Sequence, residues 1–225
     1  LETVILAENS KLMEVKPYAF DGTAFIDNCP GNYVMIGNLV LKYKGSEEET
    51  TIPENAERLL ENSMKGSNTL KKISIQNKLS EIGPHSISSC DKLKDVEIPS
   101  NVTTIAYAAF ASDTALENVV LNEGLESIEQ DAFLDCPEIK EITIPKSVEG
   151  IGEHAIGYSN YSFDRTNYQW VISKYTKEEL PTINCWYDTA GYYYARREDI
   201  PYKLLDEKVL TSDNPSLCNI GVNQR

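Results

Sequence analysis

The chain has 225 residues, and its 35 acidic against 21 basic side chains give it a formal net charge of −14. So strong a negative charge argues against nucleic acid and anionic membrane surfaces as direct partners. No apolar run approaches the roughly 20 residues of a membrane-spanning helix, and no signal peptide is visible, so direct membrane insertion is not expected.

The first 25 residues carry an irregular version of a spacing that becomes regular further along the chain. The apolar residues Leu1, Val4, Leu6, Leu12 and Val15 precede the pair Ala19-Phe20. We interpret residues 1–25 as a variant repeat. Because a natural end of a repeat array carries a polar cap and none precedes Leu1, the chain is expected to begin inside a longer protein.

Residues 33–45 predict a β-hairpin. Two apolar runs flank Gly37-Asn38, a pair that suits a two-residue hairpin loop. An acidic turn, residues 46–50, follows the hairpin and contains three adjacent glutamates. No EF-hand loop surrounds these glutamates, so we expect a solvated turn and no calcium site.

From residue 70 the chain repeats every 23 residues without insertion. Four units begin at Leu70, Leu93, Leu116 and Ile139, and residues 46–69 follow the same spacing. A fixed period of this length indicates one supersecondary unit per repeat, stacked into a solenoid. We count six units when the variant repeat is included.

Each unit predicts three short segments. Alternating apolar residues predict a strand with one buried face, which Pro99 and Pro145 would end in their repeats. A second apolar pair, such as Val102 with Ile105, predicts a return segment. An adjacent pair such as Ala109-Phe110 predicts a short helical or 3₁₀ turn on the outer side. One unit buries too little apolar surface to offset its chain entropy, so the repeats are stable only as a stack.

The recurring pattern L-x-x-I-x-I-P-x-x-V-x-x-I-G-x-x-A-F-x-x-C resembles the BspA-like leucine-rich repeats of bacterial surface proteins. Departures are local: Asp113 and Ser159 replace the cysteine, and Ile87 and Ile156 replace the phenylalanine. The resemblance implies a leucine-rich-repeat solenoid, a horseshoe or a rod, of mostly short parallel strands. It also implies an inserted β-hairpin, a C-terminal capping segment, and a non-catalytic, adhesin-like role at the bacterial cell surface or in secretion.

After Ile156 the repeat pattern stops, and residues 157–182 are rich in aromatic side chains. One interpretation is that these rings cover the open end of the solenoid, whose edge strand otherwise favours aggregation. The alternative is a carbohydrate-binding module that uses Tyr161, Tyr168 and Trp170, because aromatic rings offer large flat contact surfaces.

Residues 183–205 resemble the closing segment of the family, a strand followed by a helix and a second strand. Asp188 or Thr189 is placed to cap a helix over Ala190–Glu198, and Pro201 prevents its continuation. The polar residues 206–225 predict a loosely held tail. The expected organisation is a single domain, 1–205, made of the variant repeat 1–25, the hairpin insert 33–45, the repeats 46–161, the aromatic insert 157–182 and the cap 183–205.

No catalytic or metal-binding constellation is visible, so we expect no enzyme, no cofactor and no metal. His85 and His154 lie three repeats apart, roughly 14 Å by the strand spacing. Cys90 and Cys136 lie two repeats apart, roughly 10 Å, which exceeds the reach of a disulfide. They are expected to be buried free thiols, and Cys29, Cys185 and Cys218 unpaired.

The remaining candidates for binding are the outward positions of the strands, which vary between repeats while the core does not. A rigid scaffold that presents a variable face is how solenoids bind ligands. The predicted protein-binding residues are Lys72, Ser74, Asp95, Glu97, Asn118, Val120, Glu141 and Thr143. The leading hypothesis is a non-catalytic recognition segment that binds a protein ligand through this face, with glycan binding by the aromatic insert as the alternative.

Overall fold

The computed structural model describes residues 1–5, 15–16, 18–76, 78–164, 166 and 169–206. For residues 160–164, 169 and 170 it describes the backbone alone. The described part holds two helices, α1 (Ala24–Asn28) and α2 (Ala190–Arg197). Its strands are β1 (Tyr33–Ile36), β2 (Leu39–Tyr43), β3 (Glu49–Thr51), β4 (Arg58–Leu59), β5 (Lys72–Ser74), β6 (Glu81–Ile82), β7 (Asp95–Ile98), β8 (Thr104–Ile105), β9 (Asn118–Leu121), β10 (Ser127–Ile128), β11 (Glu141–Thr143), β12 (Gly150–Ile151), β13 (Tyr158–Asp164), β14 (Gln169–Lys174), β15 (Thr182–Cys185) and β16 (Tyr202–Leu204).

The first segments of the repeats form a parallel sheet in the order β3-β5-β7-β9. Its register follows the 23-residue period, so that Lys72 pairs with Asp95 and Asp95 with Asn118. Strand β11 lies beside β9 and starts a second parallel sheet with β15 and β16. Leu70, Leu93, Leu116 and Ile139, which precede these strands, are all at most 2% exposed. The expected column of stacked apolar residues is therefore confirmed.

The return segments form a second ladder of two-residue strands, in the order β4-β6-β8-β10-β12. Here again partners are 23 residues apart, as in Glu81 with Thr104 and Thr104 with Ser127. Between the two ladders lies one continuous apolar core that runs from Val40 to Ile200. In its centre the rings of Phe110 and Phe133 stack with centroids 5.2 Å apart and planes 5° apart.

The outer side of each repeat is a hydrogen-bonded turn in place of the short helix expected there. Two positions of the turn have positive φ in successive repeats, such as His85 at 51° and Ser89 at 59°. The amides between them alternate: Ile87 donates to Ala109 of the next repeat, whereas Ser88 donates back to His85. Since only every second amide bonds within the turn, no helix propagates, and the turns stack as a third ladder.

The predicted N-terminal hairpin is confirmed, with β1 antiparallel to β2 around Gly37. It is part of the solenoid itself, because β2 pairs in parallel with β4 and extends the return ladder by one strand. The amide of Tyr43 donates to Ser63 O at 2.7 Å, so the hairpin also covers the first outer turn. Lys44 Nζ holds the end of α1 through the carbonyls of Ile26 and Cys29.

The variant repeat is only partly reproduced. Residues 1–5 form no strand, and Leu1, which was expected in the first core column, is 64% exposed. The expected column residues Leu6 and Leu12 lie outside the described residues. The turn around Ala19-Phe20 does match those of the repeats, since Tyr18 and Gly22 have φ of 63° and 68°. A half-repeat without its strand cannot extend the strand ladder.

The C-terminal segment closes the solenoid. As expected, β15, α2 and β16 follow one another, with β15 parallel to both β11 and β16. Helix α2 packs against β12 and β15, and Tyr194 on its inner side is 2% exposed. Thr189 is the N-cap residue, but its hydroxyl donates to Trp186 O and makes no capping bond. The predicted tail beyond 206 lies outside the described residues.

The aromatic insert forms an antiparallel hairpin of β13 and β14. Tyr158, one of the rings expected over the open end, lies with Ile172 against the outer-turn residues Ala108, Ala111 and Leu134. Its phenol donates to Glu198 Oε2 at 2.5 Å. The hairpin is therefore fastened to the outer turns and to the cap, and the open end is closed by α2.

Candidate functional site

The strand face is the outward surface of β5, β7, β9 and β11, and it carries all eight residues predicted for protein binding. Apolar residues alternate inward along each strand, so the residues between them point to solvent. The register places Asp95 beside Asn118 and Glu97 beside Val120 on neighbouring strands. Glu141 and Thr143 follow on β11, opposite Thr182 and Asn184 of the cap. The face thus continues from the repeats onto the closing segment.

Three carboxylates on this face are oriented by asparagine amides from a neighbouring strand. Asn118 Nδ2 donates to Asp95 Oδ1 at 2.6 Å, and Asn122 Nδ2 donates to Glu97 Oε1 at 3.1 Å. Asn184 Nδ2 donates to Glu141 Oε1 at 2.5 Å. Amide donors fix the position of a carboxylate without cancelling its charge.

Among the described residues, none of these three carboxylates makes an ion pair with a lysine, arginine or histidine within 4 Å. Two of the lysines that flank the face are committed elsewhere, Lys71 to Glu48 at 2.7 Å and Lys94 to Glu117 at 3.3 Å. The result is a surface with oriented negative charge and no matching positive charge at the same residues.

An apolar residue lies in the middle of this acidic surface. The side chain of Val120 is 49% exposed, which is unusual for a strand residue of this repeat array, where other large apolar side chains of β5, β7, β9 and β11 are buried. The arrangement, a small apolar contact bordered by charged groups, has the form of an interface patch more than of a catalytic cleft.

Sequence reasoning missed two of the three asparagines that shape the face. Asn122 lies just after the end of β9, outside the two outward positions that were considered, and Asn184 belongs to the cap. The periodicity offered no signal for Asn184, because the cap lies outside the repeats and its register against β11 is set by folding.

The alternative site on the aromatic insert is described only in part. Tyr161 lies opposite Ile172, and Trp170 opposite Phe163, in the hairpin of β13 and β14. Tyr168 lies outside the described residues. The glycan-binding hypothesis therefore stays a prediction.

The thiols and imidazoles are placed as inert groups. Cys90, Cys136 and Cys185 are buried free thiols, as predicted for the first two, and burial raises the pKa of each, to about 11 for Cys185. Burial, helped by the charge of Lys65, lowers the pKa of His85. Within the described residues no group of three or more His, Cys, Asp or Glu side chains is arranged to hold a metal ion. No described helix is long and apolar enough to cross a membrane.

Comparison with solved structures supports the same fold. A leucine-rich repeat protein of T. pallidum shares 22% identity over 65% of this chain and 62% of its own, with a TM-score of 0.54. The pneumococcal vaccine antigen PcpA shares 14% identity over 76% of this chain and 45% of its own, with a TM-score of 0.50. The chain thus spans less than two thirds of either protein. No curated protein sequence matches it.

The comparison with protein families matches six copies of the BspA type leucine-rich repeat over residues 34–162, more than half of the chain. The match begins at the hairpin, in keeping with the place of β2 in the return ladder. With the three ladders described above, the chain belongs to the BspA-type leucine-rich repeat family.

Proposed function

We propose that this chain is a non-catalytic recognition segment of a bacterial cell-surface or secreted protein, and that it binds a protein ligand through the strand face. The observation that carries the proposal is the set of three carboxylates, on Asp95, Glu97 and Glu141, that amides orient and no cation neutralises. Solved relatives described as a leucine-rich cell surface protein of Faecalibacterium prausnitzii and a pneumococcal vaccine antigen favour the location.

The chemistry of the face indicates the kind of ligand. A partner that presents lysine or arginine side chains around a small apolar contact would complement Val120 and the carboxylates that surround it. Because the carboxylates are exposed, their attraction is screened over about 8 Å at physiological ionic strength. Binding is therefore expected to weaken as salt is added, mainly through a slower association rate.

The experiment has two stages. The biotinylated chain is first screened against arrays of extracellular proteins and of glycans. For a protein that binds, the dissociation constant is then measured by biolayer interferometry for the wild type and for a triple variant, Asp95→Asn, Glu97→Gln and Glu141→Gln. We expect affinity to fall by about tenfold or more, which corresponds to about 1.4 kcal/mol.

A matched control removes the same three negative charges from another surface. Glu126, Glu149 and Glu153 are exposed residues beside the return strands and the outer turn, and their triple change to glutamine preserves the net charge of the test variant. If this control weakens binding as much as the face variant does, the strand face is not the site. Binding to glycans alone, lost on changing Tyr161 and Trp170, would favour the aromatic insert instead.

A further inference from the structure

One column of the repeat has a hydrogen-bonding role that each residue in it must satisfy. The column contains Cys90, Asp113 and Cys136, one per repeat and all buried. Each thiol is an acceptor, since the backbone N–H of Ser67 bonds to Cys90 Sγ and that of Asp113 to Cys136 Sγ. Each is also a donor to a carbonyl 26 residues earlier, Cys90 to Met64 O at 3.6 Å and Cys136 to Phe110 O at 3.1 Å.

Asp113 occupies this column between the two cysteines and is 0% exposed. Its Oδ1 takes the acceptor role, because the Cys90 N–H donates to it at 2.7 Å. Its Oδ2 is buried and has no hydrogen-bond partner among the described residues. The 26-residue rule assigns this oxygen the donor role toward the carbonyl of Ile87. An ionised carboxylate can only accept hydrogen bonds, whereas a protonated one donates and accepts.

We propose that Asp113 is a pH-sensitive weak point in the middle of the solenoid: the folded chain keeps it as a neutral carboxylic acid that substitutes for a cysteine thiol, and a rise in pH opposes folding by drawing that proton away. The cost of burying an unpaired negative charge falls on the repeats that surround it, which share one continuous core.

The groups that face Asp113 favour the neutral form. Cys90 and Cys136 lie in the repeats on either side, and burial keeps both thiols protonated with raised pKa values. Asp91 is the charged neighbour and adds repulsion. Burial first, and this repulsion next, raises the pKa of Asp113 well above its usual range, against the opposing effect of the Cys90 N–H.

The sign of the effect follows from the proton count. Above the usual aspartate pKa of about 3.9 the unfolded chain has released this proton, while the folded chain still holds it. Stability from this group is therefore lost as the pH rises through that window. The equilibrium constant for unfolding increases about tenfold per pH unit until the folded carboxyl ionises.

The test compares urea unfolding of the wild type and of Asp113→Asn from pH 5 to pH 8. Asparagine can donate and accept at every pH, so the ratio of the two unfolding constants should grow by up to about tenfold per unit. Glu126→Gln, which removes an exposed carboxylate, should show no such growth. Parallel pH profiles for the wild type and Asp113→Asn would overturn the proposal.

Two further measurements keep the proposal testable if the asparagine variant does not fold. Asp113→Cys restores the column, and under reducing conditions it should remove the same pH dependence. Infrared spectroscopy of the folded wild type at pH 7 should show the carbonyl stretch of a buried protonated carboxyl. A spectrum with only ionised carboxylates would overturn the assignment without any substitution.

Discussion

The phenol oxygen of Tyr194 lies 2.9 Å from both the amide nitrogen and the carbonyl oxygen of Ile156, a residue 38 positions earlier in the chain. In the preceding repeats the equivalent amides, those of Ile87, Phe110 and Phe133, donate to a carbonyl of the next turn. Ile156 belongs to the last repeat, so no next turn exists for it. The phenol of Tyr194 takes the place of the missing backbone and completes the outer ladder.

We expect Tyr194→Phe to destabilise the chain by about 1–3 kcal/mol, because the substitution leaves the buried amide of Ile156 without an acceptor. Urea unfolding monitored by circular dichroism measures the loss. Tyr193→Phe is the control on the same helix, since Tyr193 is 57% exposed and its phenol bonds only to Asp188 among the described residues. Equal stability of the two variants would show that Tyr194 does not close the ladder.

The left-handed positions of the outer turns provide a second prediction. Gly66 has φ of +73°, whereas Gly150 does not have a positive φ, and an added Cβ would meet no atom within 4 Å at either site. We expect Gly66→Ala to cost about 1 kcal/mol because L-residues disfavour this region. Gly150→Ala should be neutral or stabilising by less than about 1 kcal/mol.

These two alanine variants differ in backbone conformation and not in available space, so thermal unfolding of the pair isolates the conformational term. Ser89, Ser112 and Asp135 occupy the Gly66 column in later repeats with positive φ, and the fold therefore tolerates the strain. The explanation fails if Gly66→Ala is as stable as Gly150→Ala.

Ser86 is expected to be replaceable by alanine at no cost. Its hydroxyl is buried and has no partner among the described residues, and Ala109, Ala132 and Ala155 occupy the same column. Because burial of an unpaired hydroxyl is unfavourable, Ser86→Ala should leave the stability unchanged or raise it by about 1 kcal/mol. Ser88→Ala is the contrasting variant, since the Ser88 hydroxyl donates to His85 O at 3.0 Å, and should cost about 1 kcal/mol. Denaturant midpoints distinguish the two, and a reversed order would contradict the argument.

Phe110 and Phe133 should be the most sensitive apolar pair of the core. Both rings are at most 1% exposed and stack on one another, so Phe110→Ala should cost about 3–5 kcal/mol. Val120→Ala, at a half-exposed strand position, should cost less than about 0.5 kcal/mol. Calorimetric melting of both variants tests this, and a small loss for Phe110→Ala would mean that neighbouring repeats collapse into the cavity.

Much of the fold was accessible from the spacing of apolar residues. The 23-residue period predicted the columns that begin at Leu70, the parallel register of the strands, the hairpin around Gly37 and the buried thiols of Cys90 and Cys136. The expected helical outer turn was wrong in detail, because alternate amides such as that of Ile87 bond to the next repeat. The strand that was expected to begin at Leu1 does not form over residues 1–5. Apolar columns specify which residues are buried, but they do not specify backbone hydrogen bonds in turns or at the ends of an array.

The sequence by itself determined the repeat, its register, its family resemblance and the outward positions of the strand face, because a periodic chain encodes its stacking locally and identically in every copy. Only the tertiary structure decided how the array ends and how single residues depart from the period. Tyr194 reaches Ile156 and Asn184 reaches Glu141 across about 40 residues of sequence, and Oδ2 of Asp113 is left without a partner between two cysteines. Such contacts join non-repeating parts of the chain, and their geometry exists only once the stack has formed.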